Sequence, residues 1–267
     1  MKTLIASSIL LLSATVAAES SQCNLQLKQD LRITPALVEL SEQGQSLWQI
    51  DAQGNLWLNG KTQQVNAEQR ALLLQYQAGL RDQTEKTVVL VGDAMKLAVS
   101  AVGQAMTELT GKDLAEFDGL QSALQKVELT TDELIVRDGQ SIEIRGSQMQ
   151  QLDEAFGPEF EQAIEDAVQQ SMGSVLWQMG LAMMSGDGDF EQRMNSFGER
   201  MELVGEQIEQ SVELKASALE QQGDALCQNL QALNQVETRL QQQLSAFAAY
   251  DLLSTEQNGE DAALVSF

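Results

Sequence analysis

Two stretches of this chain repeat apolar residues at every second position, and most of the remainder repeats them at helical spacing. The first stretch ends near Val65. Segments 36–40, 47–50 and 55–58 alternate apolar and polar residues, and Gly44, Gln53-Gly54 and Asn59-Gly60 separate them. Asn-Gly accepts positive φ at low cost, so Asn59-Gly60 reads as a two-residue hairpin turn. The second stretch lies at 133–145: Leu134-Ile135-Val136, a turn at Asp138-Gly139, then Ile142-Glu143-Ile144. Periods of two and of 3.6 belong to different elements. The pattern therefore predicts an α+β protein: mainly long helices packed on a small N-terminal antiparallel β-meander, with a second short hairpin near 133–145 able to join the first sheet.

The helices announce themselves by their ends. Asn66-Ala67-Glu68-Gln69 fits a capping box, with Gln69 at the third helical position. Leu72, Leu73, Tyr76 and Leu80 form an apolar face behind it. A second helix is expected at 85–109; it is apolar nearly all round, which predicts a place in the centre of the core. A third is expected at 114–126. Gly157-Pro158 marks a helix restart, because proline suits a first helical position. That helix runs to about 184, followed by a flexible link at 185–189 and helices at 190–222 and 225–250. Residues 251–267 read as a disordered acidic tail. Trp48 and Trp57 are expected to pack against a helix, a surface stacking platform being the alternative.

The first eighteen residues read as a leader. Met1-Lys2 supplies the basic start, 4–16 the apolar run, and Val16 and Ala18 the small residues three and one before a cut after Ala18. About a dozen apolar residues are too few to span a bilayer. Lipidation at Cys23 is the alternative, but Ser20-Ser21-Gln22 are not the small apolar residues that it wants. Export implies an oxidising compartment. There the two cysteines, Cys23 and Cys227, are expected to pair; two buried free thiols are the alternative. Without a C-x-x-C spacing, a catalytic redox pair is not indicated. The mature chain, 19–250 before its tail, then reads as one α+β domain, β-rich at 23–65 and helical from 66. No later stretch reads as a membrane span: the best window, 87–109, carries Asp93, Lys96, Gln104 and Glu108.

Composition removes whole classes of function. The chain has 16 Lys+Arg against 39 Asp+Glu, a net charge of −23, and −24 once Lys2 leaves with the leader. Such a field repels nucleic acid and anionic lipid. There is no histidine, so Ser-His-Asp and Cys-His devices, imidazole metal sites and the Glu-x-x-His di-iron centre are all excluded. No cofactor motif is present. A hydrophobic fraction of 43% still provides a core.

Four clusters remain. Met172, Leu176, Met179 and Met183, with Val175 between them, recur at helical spacing. They form an ordinary core face, a pliable face for binding other chains, or a Cu(I) site. Glu199, Glu202, Glu206, Glu209 and Glu213 form an acidic stripe that reads as a solvated face. Asp187-Gly188-Asp189-Phe190-Glu191 lacks the full calcium-loop pattern and reads as a linker. Glu161 with Glu165, or Asp51 near Trp48, could serve as paired carboxylates for glycoside chemistry; any acidic protein offers such pairs. No catalytic or metal-binding residue is assigned.

The run Gly54-Asn55-Leu56-Trp57-Leu58-Asn59-Gly60, followed by Asn66-Ala67-Glu68-Gln69-Arg70, Tyr76-Gln77 and Leu80-Arg81, resembles the YggN-like family of exported gammaproteobacterial proteins, a domain of unknown function. Ile33-Thr34-Pro35, Met172-Gly173 and one cysteine near each end of the mature chain are similar too. The resemblance implies a periplasmic location and brings no catalytic residues. The expectation is therefore a non-enzymatic, chaperone-like or assembly factor of the envelope, whose partners are other envelope proteins met by the Met172–Met183 face. The alternatives are a carboxylate hydrolase of envelope glycans and a weak binder of metal or small ligand.

Overall fold

The computed structural model describes residues 27–110, 112–185 and 190–252, and side chains at 27–108, 112–171 and 212–252. Residues 1–26, with Cys23, and 253–267 lie outside the described residues; Leu252, the second residue of the expected tail, is instead buried in the core. Seven strands form one antiparallel sheet: β1 Asp30–Ile33, β2 Leu37–Glu42, β3 Gln45–Asp51, β4 Leu56–Leu58, β5 Lys61–Gln63, β6 Ile135–Asp138 and β7 Ser141–Arg145. Their order is β5-β4-β3-β2-β1-β7-β6. The late hairpin does join the meander, by pairing β7 with β1 at Leu31↔Ile144 and Ile33↔Ile142. The turns follow local chemistry. Gln43 and Gly44 take φ of 50° and 76°, and Asn59 and Gly60 take 47° and 73°, as two-residue hairpins with right-handed strand twist require. The late turn centres on Gly139-Gln140, one residue beyond the expected pair, because Asp138 still pairs with Ser141.

Helix α1, Ala67–Thr110, opens as expected. The Asn66 N–H donates to Gln69 Oε1 and the Gln69 N–H to Asn66 Oδ1, both at 2.9 Å. It does not stop near 81. The polar stretch that suggested a break is held in helix by Arg81 donating to Gln77 Oε1 at 3.0 Å and by the Asp82–Lys86 pair at 2.7 Å. At 44 residues α1 is about 66 Å long. Helix α2, Asp118–Leu134, runs straight into β6, and the short α3, Gln150–Ala155, precedes α4, Pro158–Ser185. Helix α5, Phe190–Gln243, is continuous through Gly223, where a break was expected. A mid-helix glycine costs only about 1 kcal/mol.

The inner face of the sheet (Leu31, Ile33, Val38, Leu40, Trp48, Ile50, Leu56, Leu58) packs on Leu73, Tyr76 and Leu80 of α1 and Leu233, Val236 and Leu240 of α5. Trp48 is fully buried there, with ring centroids 6.0 Å from Tyr76 and 5.9 Å from Phe247; its partner tryptophan, Trp57, is only half-buried on the opposite face. Helices α1 and α5 lie antiparallel and close. A Cβ added at Gly79 would sit 2.5 Å from Leu233 Cδ1.

The expectation that 85–109 is central in the core fails. No residue from 85 to 105 is buried; the first that is, Met106, belongs to a second cluster. Beyond the Glu85–Arg137 pair with β6, this half of α1 runs past the sheet core, so most of its large apolar side chains are half-covered while Val89, Ala94, Lys96, Ala98 and Ser100 are exposed. By length and composition α1 is apolar enough to cross a bilayer, with a mean hydropathy of 1.4 in its best window. That is weak evidence: the window carries Asp93 and Lys96, paired at 3.2 Å, and the first half of the helix is built into the sheet core.

Candidate interaction face on the fourth helix

Helix α4 begins where the backbone turns sharply. The Phe156 N–H donates to Leu152 O at 3.1 Å, closing α3, and the Gly157 N–H donates to Glu154 O at 3.2 Å. A Cβ at Gly157 would meet that same carbonyl at 3.0 Å, and Pro158 then opens α4. Phe160 is half-buried against the cluster of Met106 from α1, Phe117, and Leu120 and Leu124 from α2. Its ring stands edge-on to Phe156 at 5.4 Å. Ala167 and Ser171 continue the buried line, and Ser171 Oγ donates to Ala167 O at 2.6 Å.

Beside that buried line runs an uncovered one. Phe156, Ile164 and Val168 are 45%, 42% and 45% exposed. From Phe160 the four-residue steps lead through Ile164 and Val168 to Met172 and on to Leu176. Met172, Leu176, Met179 and Met183 lie on helical backbone, but their side chains are outside the described ones. The described half of the stripe was not singled out in the sequence. Stepping back four residues from Met172 finds Val168, Ile164 and Phe160, so the signal was there.

Acids border the stripe. Glu161 and Glu165 are exposed, and α4 contains four acids and no Lys or Arg. Lys126 of α2 reaches Glu159 at 2.6 Å, and that hydrogen bond holds the Glu159 carboxyl below its usual range.

The other sequence candidates are not assembled into a reactive centre. Glu161 and Glu165 share one solvent-facing side of one helix. Asp51 caps a turn, accepting from the Gln53 and Asn55 N–H groups at 2.9 Å and from Asn55 Nδ2 at 2.7 Å. Burial raises its pKa, but these hydrogen bonds and the Arg70 charge outweigh that and lower it. Glu39, whose side chain is covered although it lies on the outer sheet face, accepts from Arg32 and from Gln49 Nε2 at 2.7 Å. Burial again raises and the hydrogen bonds lower, with a net depression, the opposite of what a general acid needs. A cavity of about 330 Å³ opens between α1 and α5 over Val89, Leu90, Ala225 and Leu226. Its one carboxylate, Glu85, is paired with Arg137 at 2.8 Å. Among the described residues no three His, Cys, Asp or Glu side chains converge as metal ligands. Cys227 is buried on α5, with Gln231 Nε2 3.7 Å from its Sγ. Of the acidic stripe, only Glu213 falls within the described side chains, and it is exposed. Residues 187 and 189 of the acidic linker lie outside.

Residues 23–253 match the family model described as "Protein of unknown function (DUF2884)". The chain belongs to this family. It is similar to "Uncharacterized protein YggN" of Escherichia coli strain K12, 26% identical over 137 residues, which cover 51% of this chain and 55% of that protein. The namesake proteins of strains O6:H1 and O157:H7 match to the same extent. The matched region thus spans about half the length of these curated relatives. No solved structure matches the chain.

Proposed function

We propose that this protein is an exported envelope factor that binds other proteins through the apolar face of α4 and performs no chemistry of its own. The observation that carries the reading is the exposed pair Ile164 and Val168 on α4, with Phe156 exposed just ahead of the helix, leading into the methionine run of α4. Large exposed apolar side chains in a row mark interaction surfaces, and methionine makes such a surface adaptable. On this reading the protein works in the periplasm, with the leader removed after about Ala18 and Cys23 bonded to Cys227. The apolar run at 4–16 and the burial of Cys227 support that reading.

The test is photo-crosslinking in living cells from position 168, with position 82 on the sheet-proximal part of α1 as control. Discrete adducts from 168 that vanish when Phe156→Gln and Ile164→Gln are added are expected. Equal labelling from both positions, or adducts that survive those changes, would refute a binding role for this face.

A further inference from the structure

We infer that the segment which docks on α4 is cationic and amphipathic: large apolar side chains at helical spacing, flanked by Lys or Arg. This rests on the protein-binding reading above and supplies the chemistry of the partner.

Two features of the face select that partner. The first is its shape. Ile164 and Val168 are exposed and stand four residues apart, in line with the half-buried Phe160, and form a ridge that fits the groove of a second helix. The second is its charge. Glu161 and Glu165 lie exposed beside Ile164 and Val168, and α4 has no basic residue to balance them. Among the described residues Glu159 alone of the four acids on this helix is ion-paired. A partner with an apolar line and a basic rim covers the ridge and neutralises the border at once. The same charges disfavour the other occupants. A second copy would bring Glu161 and Glu165 against their own kind, within a molecule already at −23. Anionic lipid and acidic peptides meet the same repulsion.

The test uses the full mature chain and three synthetic peptides with one shared Leu/Ile helical face, flanked by Lys, by Gln or by Glu. Binding is read by fluorescence anisotropy at low and moderate salt, with circular dichroism confirming that each variant is folded. The Lys peptide should bind most tightly and weaken as salt rises. Glu161→Gln with Glu165→Gln should weaken it about five-fold at low salt. Ile164→Gln with Val168→Gln should weaken it at least about ten-fold. If the Gln peptide binds as tightly as the Lys peptide, and both are lost in the apolar variant, the inference about charge is wrong and the protein-binding face stands. If Lys-peptide binding survives in the folded apolar variant, the face itself is wrong. If no peptide binds, or the chain dimerises through Ile164 and Val168, the cationic partner is refuted.

Discussion

The least expected residue in the core is Glu237. It is fully buried on α5. Its Oε1 accepts from Tyr76 Oη at 2.6 Å and from the Leu252 N–H at 3.0 Å, joining α1, α5 and the segment that follows α5. A glutamate in a Gln-rich helix reads as a surface residue, and that is why sequence reasoning passed over it. Its position was informative all the same: Leu233 and Leu240 lie four before and three after it, on the same face. The cluster gives a graded prediction. Glu237→Ala leaves two donors without this acceptor and opens a gap, which costs about 3–5 kcal/mol. Glu237→Gln keeps an acceptor and costs about 1–2 kcal/mol. Urea unfolding separates the two, and equal stability of Glu237→Ala and wild type would show that the contact carries no weight. Tyr76 adds a pH signature. Burial first, then the Glu237 charge and hydrogen bond, raise its pKa well above the ordinary value. Below pH about 10 both folded and unfolded states keep the proton, and the contribution to stability is complete. Above that the unfolded tyrosine ionises first, so stability falls as pH rises toward the folded pKa. The alkaline limb of stability against pH should therefore be flatter in Tyr76→Phe than in wild type; parallel limbs would contradict the assignment.

At the scale of elements, what was legible was what is local. The Asn66 cap, the Asn59-Gly60 turn and the restart at Pro158 each depend on a few neighbouring residues, and each appears where the sequence places it. Strand β1 was not foreseen as a strand, because four residues with two apolar positions give almost no periodic signal. Helix lengths differ from expectation where polar residues or a glycine suggest breaks: side-chain pairs within α1 bridge 77–86, and a single glycine costs α5 too little to end it. The burial of 85–105 was misjudged because periodicity reports which face is apolar, never how much protein lies opposite it. The pairing of β7 with β1 depends on contacts more than a hundred residues apart. It has a tight point at Gly146, directly after β7. A Cβ there would lie 2.3 Å from Gln29 O and 2.5 Å from Leu27 O. These are backbone atoms, so the chain entering β1 must move. Gly146→Ala should cost about 1–3 kcal/mol and speed amide exchange in β1 and β7 ahead of β3. A variant as stable as wild type, with unchanged exchange, would mean that the approach is looser than it stands here.

The whole molecule is built on the α1–α5 pair, with the sheet at one end and the α2–α4 cluster further along. The start of the described chain sits at the sheet: Leu27 packs on the core and its carbonyl lies over Gly146. Cys23 stands four residues upstream, within about 14 Å of chain from that point. Cys227 lies six residues, just under two turns, before Leu233, which faces α1 at Gly79. A bond between the cysteines would fasten the segment ahead of β1 to the helix pair and close a loop of about 200 residues, for which the chain-entropy model gives roughly 5 kcal/mol at most. Most of that effect acts on the unfolded chain, which suggests two independent readouts. Protein purified without reductant and unfolded in guanidinium should bind no thiol reagent, then two per chain after reduction. The oxidised form should also show a higher unfolding midpoint and a smaller dependence on denaturant than the reduced form, because the cross-linked unfolded state exposes less surface. Cys227→Ser should match the reduced protein in both respects. Two reactive thiols before reduction would remove the bond, and the N-terminal anchoring with it.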